Sequence, residues 1–400
     1  MVSFQQPPVW PPPQVQTPWP PPPTSSSHPP SFAPPTFQPA SPPPLPPHLL
    51  VIPRPTVHPR KRNKLWSPLY ITLISVGAIG TLLILVAALL SGPLGVVSIL
   101  AALPTLAGVV LAFAYLDRLE PEPRSAQMWA LTWGATVAIT GSLLLEVLLA
   151  IAGDLSEYSV AVIVAPIVEE VMKGTAIYLL WKHRVITGVL NAVVYGGLSA
   201  AGFAFIENVG YFLDSSTQGG ATLLSVVALR GVVTPFAHPL FTAFTAFGVG
   251  YAIKSSKRRY ALLGLPVAVA THAAWNHLAS VADGLGDLAR GFALVMVPLF
   301  LVVTAFILQL RIRERRQLQR AAVLMQDVLP PVMAPLLWDA RARSKFSREW
   351  LARGRSRASL RLYISALTHL AMARSVPPTE ASPHDTEELK MAVLEHSPWS

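Results

Sequence analysis

From Leu69 to Leu310 the chain is a series of apolar runs, each near 20 residues long, separated by short polar breaks. About 20 helical residues at roughly 1.5 Å each cover the hydrocarbon core of a bilayer. Eight runs are long enough, at 69–91, 94–116, 127–152, 159–181, 188–213, 221–253, 260–280 and 291–310. Only 13% of the residues are charged, against about 25% in a soluble domain. The expected fold is therefore an all-α, polytopic membrane helix bundle of about eight transmembrane helices. The first two are joined by the short turn Ser91-Gly92-Pro93. The sixth is overlong and holds Pro235 and Pro239, so it should be broken or kinked.

Charge sets the orientation. Arg118 and Arg124, Lys182 and Arg184, Lys254 to Arg259, and Arg311 to Arg316 fall in alternate loops. Asp154, Glu157, Asp214, Asp283 and Asp287, with a single Arg290, fall in the others. Basic loops stay cytoplasmic, which expects both termini inside a multi-pass protein of the cell membrane. The same distribution explains the net charge of +10 without a nucleic-acid partner. No cysteine is present, which excludes disulfides, cysteine–zinc sites and a cysteine nucleophile. The first apolar run begins too late for a cleaved leader.

Residues 1–64 hold 23 of the 40 prolines and should form a disordered cytoplasmic head, a candidate docking site for a proline-motif-binding partner. Residues 65–312 would be the eight-helix membrane domain. Residues 313–400 would be a basic cytoplasmic tail, partly helical. In it Leu351, Leu360, Leu362, Leu367 and Leu370 alternate with arginines, as in helices that lie on anionic lipid or fold into a small appendage.

Four runs carry polar groups where they are expensive, on the order of 2.5–3.5 kcal/mol per charge. They are Glu169, Glu170 and Lys173; Glu207 and Asn208; Arg230 and His238; and His272, Asn276 and His277. Glu169 and Lys173 are i,i+4 and Glu170 and Lys173 are i,i+3, so they share a helical face. Small residues from Gly196 to Gly202 would let a neighbouring helix approach the fifth run closely. Taken singly, each group has a structural reading: a locking ion pair, a satisfied core histidine, interhelical hydrogen bonds. Three carboxylates, two histidines and an amide on four spans exceed what packing needs. Two chemistries fit. Glu169 or Glu170 could activate a water while His238, or His272 with Asn276, holds the oxyanion. Alternatively, histidine and glutamate could hold Zn²⁺. Such sets also build ion or proton relays in transporters and channels, and a non-catalytic membrane scaffold is a third class.

The sequence resembles the PrsW family of intramembrane proteases and, more distantly, the type II CAAX prenyl proteases and bacteriocin-processing membrane enzymes. The resemblance runs from Asp117 to Asn276. It rests on Asp117-Arg118-Leu119-Glu120-Pro121-Glu122-Pro123, on Pro166 with Glu169-Glu170-x-x-Lys173, and on Gly202-Phe203-x-x-x-Glu207-Asn208 with Tyr211. Arg230, His238-Pro239-Leu240-Phe241-Thr242 and His272-x-x-x-Asn276 complete it. It implies hydrolysis of a peptide bond in or next to the membrane of a membrane-protein substrate, such as a membrane-anchored regulator. Glu169, Glu170, Glu207, His238, His272 and Asn276 would be the catalytic set, with Lys173, Asn208 and Arg230 in support. If the enzyme is metal-dependent, His238, His272 and Glu207 would hold the ion, expected to be zinc; a metal-free glutamate mechanism is the alternative. Asn191-Ala192 replaces an expected Asp-Gly before the fifth span, a change expected to touch only a peripheral loop contact.

Overall fold

The computed structural model describes residues 64–255, 257–375 and 383–398. The proline-rich head, up to residue 63, and its proposed partner site lie outside them. The described residues are helical with no strand.

The membrane part begins with α1 (Pro68–Leu90) and α2 (Pro93–Leu116), then α3 (Arg124–Gly153). Each of the first two starts on a proline in its first turn, where the missing N–H has no intrahelical acceptor to lose. Gly92, at φ 74°, makes the tight reversal between them. Next come a π-helical turn at Val160–Val164 leading into α4 (Ala165–Lys182), then α5 (Val189–Thr217). α6 (Gly220–Val227) continues through a π-helical turn, Ala228–Val233, and stops. Chain direction changes at Thr234–Phe236 before α7 (Ala237–Ser255). This is the expected break, and it falls at Pro235 rather than Pro239. α8 (Gly264–Val281) and α9 (Val297–Ala321) complete the bundle.

Six helical segments are long and apolar enough to cross a membrane: Pro68–Leu90, Pro93–Leu116, Arg124–Gly153, Val189–Thr217, Gly220–Ser255 and Gly286–Met325. α4 and α8, the expected fourth and seventh spans, form helices but are not among the six. They carry Glu169, Glu170, Lys173, His272 and Asn276, and those polar side chains lower their mean hydropathy.

α5 is the hub. It is buried around most of its surface, whereas the other five apolar segments face outward. Packing this dense requires small residues. A Cβ on Gly202 would collide with the Leu131 carbonyl oxygen, and one on Gly134 with the Ser199 carbonyl oxygen. The α3–α5 contact is thus backbone against backbone.

At the end of the bundle where α2 stops, the loop 117–123 is folded on itself. Asp117 accepts from the Glu122 backbone N–H (3.0 Å) and from Gln127 (2.8 Å). Glu122 is buried and accepts from Asn191 Nδ2 and from Tyr195 Oη (2.8 Å). Asn191 is therefore a buried partner of this loop and not a peripheral contact. Its amide can donate to Glu122, which the aspartate expected there could not do when ionised. Burial pushes Asp117 up to about 7 and Glu122 up to about 8.

α9 runs unbroken past residue 313 into a helical unit with its own core. α10 (Ala340–Ala352) and α11 (Arg357–Arg374) start on side-chain caps from Asp339 and Ser356, and α12 (Pro383–Glu395) follows. Trp350, Tyr363, Leu367 and Leu370 are buried with Leu318, Met325 and Leu119. Leu362 stays exposed. Arg343 ties the unit to loop 117–123 by donating to the carbonyls of Arg118 and Leu119.

Candidate functional site

Pro166 sits in the first turn of α4, and the charged triplet Glu169, Glu170 and Lys173 follows one to two turns on. α4 packs against α5, α7 and α8. These three neighbours supply Glu207, His238 and His272. The interruption at Thr234–Phe236 makes His238 the second residue of a new helix.

Lys173 is the centre of the cluster. Its Nζ lies 2.6 Å from Glu170 Oε1 and donates to Glu169 Oε2 at 3.3 Å and to His238 Nδ1 at 3.1 Å. It also lies 4.5 Å over the Phe203 ring. Glu170 is completely buried and fully engaged. Oε1 accepts from His272 Nδ1 at 3.1 Å, and Oε2 from Thr242 Oγ1 at 2.8 Å. Glu207 Oε2 lies 2.7 Å from His238 Nε2 and pairs with Arg230. Arg230 Nε donates to Asn208 at 2.7 Å, and its guanidinium lies 3.9 Å over Tyr211.

These partners fix the histidine tautomers. A carboxylate only accepts, so the proton sits on Nδ1 of His272 and on Nε2 of His238. Each neutral ring then turns its lone pair inward, with His272 Nε2 3.9 Å and His238 Nδ1 3.8 Å from Glu169 Oε2. Glu169, His238 and His272, all buried, each offer one ligand atom within 4.8 Å of the others. Two imidazoles and a carboxylate, with each ring's second nitrogen held by another carboxylate, match the donor chemistry of a metal centre. The carboxylate of this group is Glu169; Glu207, the carboxylate expected to join the two histidines, lies against Arg230 and the far nitrogen of His238.

A cavity of about 270 Å³ adjoins the cluster. Glu207, Arg230, His238, His272, Trp275 and Asn276 are among its lining residues. Asn276 faces this cavity without joining the Glu–His cluster: its Nδ2 donates to the Ala161 carbonyl at 2.8 Å. His277 bonds to Tyr158 (2.8 Å). Thr242, at the end of the His238–Thr242 motif, joins the cluster as a donor to Glu170. Glu146, the one carboxylate within Leu143-Leu144-Leu145-Glu146-Val147-Leu148-Leu149, has a buried Oε1 with no hydrogen-bond partner.

Residues 122–307 match the family model described as PrsW family intramembrane metalloprotease. No curated protein and no solved structure matches the chain. All of the cluster lies inside the matched segment. The chain thus carries a PrsW family intramembrane metalloprotease domain over residues 122–307, and it is a membrane peptidase.

Proposed function

We propose that this peptidase cleaves single-span membrane proteins, such as membrane-anchored regulators, in or next to the bilayer. The observation that carries this reading is the buried Glu169–His238–His272 group beside a cavity of about 270 Å³. α4 and α8 then cross the membrane with the six apolar segments, making eight spans with both termini cytoplasmic. The proline-rich head and the helical tail are separate cytoplasmic segments.

Glu169, His238 and His272 would hold the metal, which this donor set marks as zinc and whose chemistry is Lewis-acid activation of water and of the scissile carbonyl. Glu170 orients His272, and Thr242 orients Glu170. Glu207 orients His238 and is the carboxylate on the cavity wall. Its Oε1, the oxygen not engaged by Arg230 and His238, accepts a proton from the attacking water and returns it to the amide nitrogen as the C–N bond breaks. Lys173 balances the adjacent carboxylates, and Arg230 holds Glu207 in place. Asn276 and the Ala161 carbonyl form the opposite wall, against which the substrate backbone lies.

The test uses full-length protein in nanodiscs with a panel of single-span reporter proteins, and metal content is measured on the same samples. Wild type is expected to cut a reporter and to hold about one zinc per chain. The double variant His238→Ala, His272→Ala should lose both while inserting normally. Retained cleavage in that variant rules the reading out. Comparative membrane proteomics of wild type against Glu170→Ala then identifies the natural substrates.

A further inference from the structure

We infer that Ser142 and Glu146, on α3, form a water-entry path to the reaction centre, separate from the cavity that receives the substrate. This rests on the peptidase reading above. Hydrolysis, R–CO–NH–R′ + H₂O → R–COO⁻ + ⁺H₃N–R′, breaks the C–N bond, forms a C–O bond and moves both water protons to nitrogen. Every turnover therefore consumes one water at membrane depth. A transmembrane substrate lying in the cavity closes that route to solvent, so the water must come from elsewhere.

The structure places two polar groups where such a route is needed. Ser142 is completely buried, and its Oγ has no hydrogen-bond partner in the protein. Glu146 Oε1 is buried and also has none. The two residues are i,i+4, one above the other on one face of α3. Leu143, Leu144, Leu145, Val147, Leu148 and Leu149 around them are exposed on the apolar surface. Glu146 is thus turned inward from a lipid-facing stretch. Unpartnered buried polar atoms are rare and costly, and water is their usual partner.

These groups also point at the centre. α3 packs on α4, the helix that carries Glu169, Glu170 and Lys173. The two helices run antiparallel from the turn at Asp154. Counting from that turn puts Ser142 about level with Glu169, and Glu146 four residues, about 6 Å, nearer the turn. Glu146 is close enough to Glu207, Lys173 and Glu169 for their charges to act on one another, and Tyr211 is the fourth titratable group within that reach. Neither Ser142 nor Glu146 lines the substrate cavity. Water can therefore pass from the Asp154 end, along Glu146 and Ser142, to the centre without entering through the cavity that they do not line.

The experiment compares Glu146→Leu, Ser142→Val and Glu146→Gln in full-length protein, using the reporter that wild type cuts. Glu146 Oε1 is buried with no hydrogen-bond partner to be orphaned by its removal, and burying such a group is itself costly, so Glu146→Leu is expected to keep its fold, with the melting temperature as the check. Glu146→Leu and Ser142→Val should lower kcat by at least roughly tenfold with KM within about twofold, and Glu146→Gln, which still holds water, should stay within about threefold of wild type. X-ray hydroxyl-radical labelling reads the water directly. Met172, whose Cε lies against Gly141, should be labelled in wild type and protected in Glu146→Leu. Wild-type kcat in both apolar variants overturns the path. So does a Glu146→Gln loss as deep as that of Glu146→Leu, since charge and not water would then be what Glu146 supplies. Failure of wild type itself to cut any reporter overturns the peptidase reading and this inference with it.

Discussion

Lys173→Met removes the one ammonium that binds the centre together. In wild type Nζ contacts Glu170 at 2.6 Å, Glu169 at 3.3 Å and His238 at 3.1 Å, and all four residues are buried. Methionine has a similar length and no charge, so the cavity stays filled while two adjacent carboxylates lose their counter-cation. Breaking a buried pair from one side costs about 3–5 kcal/mol. Two of the three atoms that Nζ contacts, Glu169 Oε2 and His238 Nδ1, are also the inward donor atoms of the candidate metal group. Ammonium and metal therefore compete for them, and Lys173→Met should bind Zn²⁺ more tightly than wild type. Zinc at 100 times its Kd would restore about 2.7 kcal/mol. The assay is denaturant unfolding in detergent, for both proteins, with EDTA and with a Zn²⁺ series. A deficit below about 1 kcal/mol in EDTA would refute the counter-cation role, far under the expected cost. Equal zinc stabilisation of the two proteins would refute the competition.

Thr242→Val leaves Glu170 Oε2 without its donor and should lower stability by about 1–3 kcal/mol, with reporter cleavage falling as His272 loses its anchor. Gly202→Ala drives a Cβ into the Leu131 carbonyl; overpacking of this kind costs about 1–3 kcal/mol, measured as a lower melting temperature. Glu122→Gln tests pH. Burial raises Asp117 to about 7 and Glu122 to about 8, so their protonated forms are favoured in the fold. Stability is full below the ordinary carboxylate range and is lost as pH rises from there to about 7 for Asp117 and about 8 for Glu122, by about 1.4 kcal/mol per pH unit for each group within its window. Glu122→Gln should flatten that fall between about pH 5 and 8, and an unchanged slope would contradict the assignment. Trp350→Ala should unfold the tail unit, at about 3–5 kcal/mol, seen as new protease sensitivity after Ala321.

Much of this protein was legible in its sequence because a bilayer narrows the choices. Apolar runs of bilayer length can only be helices there, and charges within them need a reason. That logic located Glu169, Glu170, Lys173, Glu207, His238 and His272, and the structure brings all six together. The break at Pro235 and the close approach of α3 to Gly202 followed from proline and glycine chemistry. Helical spacing alone could rank neither carboxylate of the Glu169-Glu170 pair, because it is silent on what the facing helices present. Tertiary packing separated them. Thr242 and His272, from two other helices, occupy Glu170, and that leaves Glu169 beside the inward lone pairs of both histidines. Packing likewise gave Glu207 to Arg230, turned Asn276 toward Ala161 and buried Asn191 against Glu122. The sequence by itself determined that polar chemistry must sit inside a membrane bundle. Which group holds, which orients and which is held was decided by contacts between residues up to 115 positions apart, and no local pattern encodes those.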